Sequence, residues 1–179
     1  MIRLVKNIGP GYDDFLWLMK ALGKDDTRPM LQRVRVKDNE ACTTDGMRLH
    51  VLKIDKDRYQ EPIPNGVYNI IKGKGELLLD LTIESVDSFP DISRLFNHAI
   101  EASNGKESIR VNGSKRGHDT DISFAKLITS IAEKVALRFQ FFSDMVEEHV
   151  FEAWVFSPTE PIYFKNETRY GLIMPLRIS

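Results

Sequence analysis

One order of patterns occurs at both ends of this chain: an amphipathic helix is followed by several short strands. Near the start, apolar side chains recur at helical spacing over 13–22. Three strand patterns follow that helix, at 31–36, 41–44 and 47–54. Near the end, helical spacing recurs over 122–135. Four strand patterns follow it, at 137–142, 150–156, 162–164 and 170–178. The repetition predicts an α+β fold with two similar halves, about 1–87 and 88–179, each with a helix packed on antiparallel strands.

The middle of the chain has a mixed pattern. A short apolar strand is predicted at 67–71, whereas the run 76–81 fits either a strand or a short helix, since so brief a run has no decisive period. Pro90 suits the first turn of a helix, which Asn104-Gly105 would end. A further strand is expected at 109–111.

Length and composition predict a single domain with its own core. The chain has 179 residues, of which 42% are apolar and 28% charged, and these values exclude a disordered or coiled-coil protein. Its one cysteine, Cys42, excludes an intrachain disulfide and a zinc site with several cysteines. The formal net charge of −1 gives no support for wrapping of nucleic acid by overall charge.

The sequence also bears on location. Residues 1–7 lack the long apolar segment of a secretory signal, and no stretch approaches the ~18 apolar residues of a membrane span. We expect a soluble, cytoplasmic protein with no membrane partner.

Three segments that could carry chemistry favour structural interpretations. The segment 72–75 (KGKG) lacks the spacing of a phosphate-binding loop and predicts a basic turn. Cys42 and His50 could form a nucleophile and base, but an isolated cysteine in a strand pattern is more typical of a buried small hydrophobe. The segments His118-Asp119 and Glu147-Glu148-His149 show neither ligands paired at i and i+4 on a helix nor a dense carboxylate loop, so neither a metal nor a cofactor is predicted.

Basic side chains on the predicted helices allow two interpretations. The five are Lys20, Lys24, Arg94, Lys126 and Lys134. They could be ordinary solvated residues on polar helix faces. If the helices lined one surface, the same side chains would form a phosphate-binding track without sequence preference.

Two separated motifs resemble those of the bacterial sliding clamp, the beta subunit of DNA polymerase III. Segment 28–34 (RPMLQRV) leads through one turn into 43–49 (TTDGMRL), similar to the family's R-P-x-L-x-x-V strand and A-T-D-G-H-R-L turn. The C-terminal segment 170–178 (YGLIMPLRI) resembles the family's terminal Y-x-x-x-M-P-x-R-L strand. Between them, 89–91 (FPD) matches a segment that follows a clamp domain. The motifs occur in the family's order.

The resemblance implies a non-enzymatic processivity factor that holds duplex DNA without sequence preference, through the five basic residues, and tethers a DNA polymerase or another replication protein. In the family, the turn and the terminal strand contribute to a pocket for short partner peptides. Carried over by motif, the peptide-binding residues are Thr44, Gly46, Met47, Arg48, Leu49, Met174, Pro175, Leu176 and Arg177.

The chain departs from the family in length and at one motif position. Family clamps have three domains per chain and close a six-domain ring as dimers. This chain has the length of one clamp domain with extra segments or of two trimmed domains. A ring would therefore need a homo-oligomer of six copies in the first case and of three in the second. Met47 stands where the family usually has histidine. The alternative is a peptide-binding adaptor with a clamp fold that does not encircle DNA. An enzyme using Cys42 and His50 is the third hypothesis.

Overall fold

The computed structural model describes residues 1–55, 58–59, 61–114 and 117–177. The chain divides into two compact units, Met1–Asp91 and Ile92–Ser179. Each contains helices and an antiparallel sheet, which confirms the α+β prediction. No helix among the described ranges is long and apolar enough to cross a membrane.

Among its described residues, the first unit has one α-helix and six strands. Along the chain they are β1 Ile2–Val5, α1 Gly11–Met19, β2 Val34–Lys37, β3 Glu40–Thr44, β4 Arg48–Lys53, β5 Gly66–Lys72 and β6 Glu76–Leu81. The strands are antiparallel in the order β1-β6-β5-β2-β3-β4. The ambiguous run 76–81 is therefore a strand. Short 3₁₀ turns form at Pro29–Gln32, which shortens the predicted strand at 31–36, and at Val86–Ser88.

Helix α1 packs against the sheet through one fully buried apolar face. Phe15, Trp17 and Leu18 have no exposed surface. The indole of Trp17 stacks on the imidazole of His50 in β4, with 4.2 Å between ring centroids. The hydroxyl of Thr43 in β3 donates a 2.7 Å hydrogen bond to the carbonyl of Leu18. Apolar burial and directional bonds therefore both fix α1 on the sheet.

A close approach follows the helix at Gly23. Its amide donates a 2.7 Å hydrogen bond to the carbonyl of Leu31, and a Cβ at Gly23 would lie 2.8 Å from the Cβ of Leu31. That separation is too short for any side chain, so glycine is required where the chain leaves the helix.

The described part of the second unit has three α-helices and four strands. They are α2 Ser93–Ser103, β7 Ile109–Asn112, α3 His118–Ile128, α4 Phe139–Val146, β8 Val150–Trp154, β9 Ile162–Lys165 and β10 Arg169–Ile173. The strands are antiparallel in the order β10-β9-β8-β7. Trp154 of β8 stacks on Tyr163 of β9, with 5.4 Å between ring centroids.

The helix predicted at 122–135 is shorter than expected. It corresponds to α3, which begins at His118 and ends at Ile128. The hydroxyl of Thr129 donates to the carbonyl of Ala125, and that of Ser130 to the carbonyl of Leu127. Hydroxyl side chains that bond the preceding turn compete with continued helix, so α3 ends before these two residues.

The strand predicted at 137–142 is wrong, because these residues enter helix α4. Phe142, Met145 and Val146 are fully buried at positions i, i+3 and i+4, the spacing of one helix face. Phe142 packs against Phe124 of α3 and Phe164 of β9. Helical spacing of buried side chains overrides the strand-like alternation before it.

Other boundaries also differ. The helix predicted at 13–22 is α1, which begins at Gly11 and ends at Met19, and the strand predicted at 150–156 ends at Trp154. The helix expected at Pro90 begins at Ser93, after the 3₁₀ turn. The last strand ends at Ile173, so the described tail residues 174–177 lie beyond it.

Candidate peptide-binding and DNA-binding segments

The turn between β3 and β4 is held by a dense set of local hydrogen bonds. The carboxylate of Asp45 accepts from the amides of Met47 and Arg48, at 2.9 and 3.0 Å. The hydroxyl of Thr44 accepts from the amide of Gly46 at 3.0 Å and donates to the carbonyl of Arg48 at 2.7 Å. Gly46 has a φ of +90°, which favours glycine. The side chain of Met47, 38% exposed, is thus presented on a rigid loop.

Arg48 has a bracing role that the sequence alone did not settle. Its Nε lies 3.0 Å from the carboxylate of Asp45, and its guanidinium also donates to the carbonyl of Lys20 at the end of α1. The side chain is only 10% exposed. Charge-assisted bonds to a carboxylate and a helix-end carbonyl stabilise the buried cation. Arg48 therefore joins the turn to α1, while Leu49 beside it is buried in the sheet.

The tail of the second unit is held more loosely along its described residues. The amide of Leu176 donates a 2.8 Å hydrogen bond to the carbonyl of Ala136. Pro175 is buried, Met174 and Leu176 are half-buried, and Arg177 is exposed. Two partly accessible apolar side chains therefore lie on either side of a buried proline.

The predicted DNA-binding side chains lie in different local settings. Lys20 follows the last turn of α1 and is half-buried, whereas Lys24 is exposed in the next loop. Arg94 on α2 and Lys126 on α3 are both exposed. Lys134 is exposed but does not lie on a helix, because α3 ends at Ile128. The prediction that Lys24 and Lys134 project from helices is therefore wrong, and Lys20 is the residue that caps the end of α1.

Cys42 and His50 do not form a nucleophile–base pair. In the β3–β4 register Cys42 is opposite Val51, and Thr43 is opposite His50. Since successive side chains of a strand alternate between faces, the thiol and the imidazole project from opposite faces of the sheet. His50 packs under Trp17 on the helix side. Burial raises the pKa of the Cys42 thiol to about 11, so it is protonated at neutral pH.

The remaining candidate segments are structural. Segment 72–75 is the turn between β5 and β6, where the amide of Gly73 donates to the carbonyl of Glu76 at 2.9 Å and Gly75 has a φ of +79°. Across the described part of the chain, no group of three or more His, Cys, Asp or Glu residues could hold a metal ion.

One contributor to the turn, Asp45, was not among the predicted site residues. Its signal is local, because an aspartate followed by glycine and then an arginine at i+3 can accept both from backbone amides and from the guanidinium. The hydrogen bond from Arg48 to the carbonyl of Lys20 has no such local signal, because the two residues are 28 positions apart and meet only in the folded chain.

Comparison with known proteins assigns the fold. No family model matches the sequence, and no curated protein matches it. Solved sliding-clamp structures are similar to it, and three illustrate the match. A Eubacterium rectale protein described as a DNA polymerase III beta subunit aligns with a TM-score of 0.62 and 12% identity, over 99% of this chain and 65% of that one. The Bacillus subtilis clamp gives 0.59 and 15%, over 99% and 64%. The Helicobacter pylori clamp, solved with a DNA ligase peptide, gives 0.55 and 14%, over 98% and 66%.

The two units therefore carry the sliding-clamp fold. The chain spans less than two thirds of the length of these clamps, since the three alignments cover 64–66% of each clamp chain.

Proposed function

We propose that this chain is a clamp-like tether without catalytic activity: it associates with duplex DNA without sequence preference and binds a short peptide of a DNA polymerase or another replication protein. The observation that carries the proposal is the braced turn at 44–48, which keeps the clamp motif and presents Met47 on a rigid loop. The fold shared with clamps supports it, as does the ligase peptide bound by the H. pylori clamp.

Two segments, one in each unit, are the candidates for peptide contact. In the first unit Met47 is the accessible apolar side chain and Leu49 lies buried beside it. In the second unit Met174 and Leu176 are half-buried beside Pro175. Methionine and leucine suit this task, since flexible apolar side chains adapt to the anchors of a short peptide. Arg48 contributes by fixing the turn, and Arg177 is accessible to a peptide carboxylate.

The peptide proposal is tested with a fluorescent copy of the ligase peptide bound by the H. pylori clamp. We expect saturable binding by fluorescence anisotropy. The variants Met47→Glu and Leu176→Asp should each weaken it by about 10-fold or more, because a charge cannot be buried under an apolar anchor without a partner. Ile83→Glu is the matched control, since Ile83 is fully exposed and belongs to neither segment. Absence of binding, or equal affinity in all three variants, would reject the assignment.

Contact with DNA is proposed through phosphates alone. Lys20 and Lys24 lie at and beyond the end of α1, and Arg94, Lys126 and Lys134 belong to the second unit. Cationic side chains that meet only phosphates carry no sequence information, so binding would be independent of base order and sensitive to salt.

The DNA proposal is tested by the salt dependence of binding to a labelled duplex. Each phosphate contact contributes about −0.9 to the slope of log K against log salt concentration. Lys24→Ala should reduce the magnitude of that slope by about this amount. Lys165→Ala is the matched control, because this exposed lysine of β9 lies opposite Glu152 of β8 and is outside the proposed set. Equal slopes for both variants would remove Lys24 from the DNA contact.

The second candidate function is a peptide-binding adaptor that does not encircle DNA. The packing of α3 against the outer side of β7 favours it, because that strand is not open to a further strand. Size-exclusion chromatography with light scattering separates the candidates. A closed oligomer of three or six copies supports encirclement, and a monomer or dimer at high concentration supports the adaptor.

A further inference from the structure

We propose that helix α3 is a cover on the outer edge of β7, and that it prevents a second copy of the chain from adding a strand there. The inference rests on the proposed clamp-like function and concerns how such a chain can assemble. Strand addition joins two sheets through backbone groups that point away from the neighbouring strand. A strand can therefore add to β7 only where the outward backbone groups of β7 are not already bonded.

The pairing of β7 with β8 shows which amides point outward. The amide of Gly113, just after β7, donates a 2.9 Å hydrogen bond to the carbonyl of His149. In an antiparallel pair, residues bonded to the neighbour alternate with residues whose amides point away from it. The register places Val111 opposite Phe151 and Asn112 opposite Val150. Val111 and Gly113 therefore face β8, and the amides of Arg110, Asn112 and Ser114 face outward.

Helix α3 binds two of these three outward amides, those at the end of the strand. The hydroxyl of Ser123 accepts from the amide of Asn112 at 2.9 Å, and that of Thr120 accepts from the amide of Ser114 at 2.9 Å. The two side chains are three residues apart and so lie on one face of α3. Ser123 is 4% exposed and Thr120 is 3% exposed, and Leu127 on the same helix is fully buried. These buried side chains pack α3 against β7.

The backbone after β7 is also tightly enclosed. A Cβ at Gly113 would lie 2.6 Å from the carbonyl oxygen of Val146 and 2.7 Å from the amide of Glu148. The end of the strand is thus packed against the connection between α4 and β8. A strand arriving at this edge would have to break two hydrogen bonds and expose the buried face of α3.

It follows that copies of this chain do not join edge to edge through β7. A head-to-tail contact between β1 of one copy and β7 of the next, repeated around a ring, is blocked by a helix built into the chain. Any DNA that the protein holds is cradled, or is enclosed through another surface.

Amide hydrogen exchange measured by NMR tests the cover in the protein by itself. Asn112 and Ser114 should exchange at least about 100-fold more slowly than unstructured amides, although neither donates to β8. In Ser123→Ala, protection of Asn112 should fall by about 10-fold or more, while that of Val111 stays unchanged. Unprotected Asn112 and Ser114 in the wild type, or equal protection in the variant, would overturn the proposal.

Cross-linking tests the consequence for assembly. Cys42 is buried, so cysteines placed at two exposed edge positions, Arg3→Cys in β1 and Arg110→Cys in β7, can be joined selectively by a short bis-maleimide. Multimers of the double variant should not exceed those of the two single variants. A ladder or ring that requires both cysteines would overturn the proposal. The peptide and DNA assays of the proposed function do not depend on either result.

Discussion

In chain order, helices α1 and α4 each lie between the first strand of their unit and a meander of three strands, with α3 preceding α4 in the second unit. Helix α1 combines buried apolar packing with directional bonds, from Thr43 to the carbonyl of Leu18 and from Arg48 to that of Lys20. Helix α4 packs in an aromatic cluster in which Phe142 contacts Phe124 and Phe164. Polar bonds therefore add to apolar packing at α1, whereas the contacts described at α4 are aromatic.

The residues that follow the two helices differ in charge. Lys20 and Lys24 follow α1, whereas Glu147 and Glu148 follow α4. We therefore expect the first unit to contribute a helix end to phosphate contact, while α4 contributes mainly to the core.

The largest effect is expected from truncating the buried aromatic ring of each helix. Phe15→Ala in α1 and Phe142→Ala in α4 should each lower the free energy of unfolding by about 3–5 kcal/mol, since both rings are fully buried and leave a cavity. Phe139→Ala is the matched control in α4, because its ring is 42% exposed. Urea denaturation measures all three. If Phe142→Ala and Phe139→Ala lowered the free energy of unfolding equally, α4 would not be a core helix.

The next largest effect is expected in the reactivity of the Cys42 thiol in the first unit. A pKa of about 11 in place of the usual 9.0 lowers the thiolate fraction near pH 8 by about 100-fold. Maleimide-type alkylation of native Cys42 should therefore be slower by at least that factor than in urea-unfolded protein. The control is an Arg110→Cys variant, whose exposed thiol should react quickly in the native state. Fast native alkylation of Cys42 would contradict the burial of this sheet face.

A smaller effect is expected at the two arginines of the candidate peptide segments. Arg48→Ala removes bonds to Asp45 and to the carbonyl of Lys20, and should cost about 1.5–3 kcal/mol of stability. Arg177→Ala should stay within about 0.5 kcal/mol, because Arg177 is exposed. Chemical denaturation of the two variants gives the difference. Equal losses would show that the turn and the tail are braced alike.

The smallest effect concerns pH in the loop after α1. The hydroxyl and amide of Thr27, together with Arg28, hold the pKa of Asp25 at about 2, below its ordinary 3.8. Because the folded pKa is lowered, the carboxylate favours the folded state above about pH 4, and this contribution is lost as pH falls towards 2. Thr27→Val should raise the Asp25 pKa in an NMR titration, whereas Thr168→Val in the second unit should leave it unchanged. An unmoved titration in Thr27→Val would assign the shift to the backbone amide of Thr27 and to Arg28.

The sequence predicted the first unit better than the second for a physical reason. The signals around α1 and the Asp45 turn are local, since helical spacing of apolar side chains and an aspartate that accepts from residues i+2 and i+3 act within a few residues. The alternation of Leu137, Phe139 and Phe141 favours a strand, whereas packing of Phe142 against Phe124 and Phe164 selects helix α4. Burial by remote residues overrides local preference there.

The candidate site follows the same rule. The motif at 43–49 predicted a tight turn, and the structure has one. The partner of Arg48 could not be predicted, because the carbonyl of Lys20 is 28 residues away in sequence. The peptide-binding and DNA-binding assignments stay predictions until the binding assays are done.

The placement of the two tryptophans gives each unit its own optical reporter. Trp17 stacks on His50 in the first unit, and Trp154 stacks on Tyr163 in the second. Since the chain has only these two indoles, Trp17→Phe leaves fluorescence from one unit and Trp154→Phe leaves it from the other. Emission spectra of the two variants would follow the melting of each unit separately, and would show whether they unfold in one cooperative transition or in two.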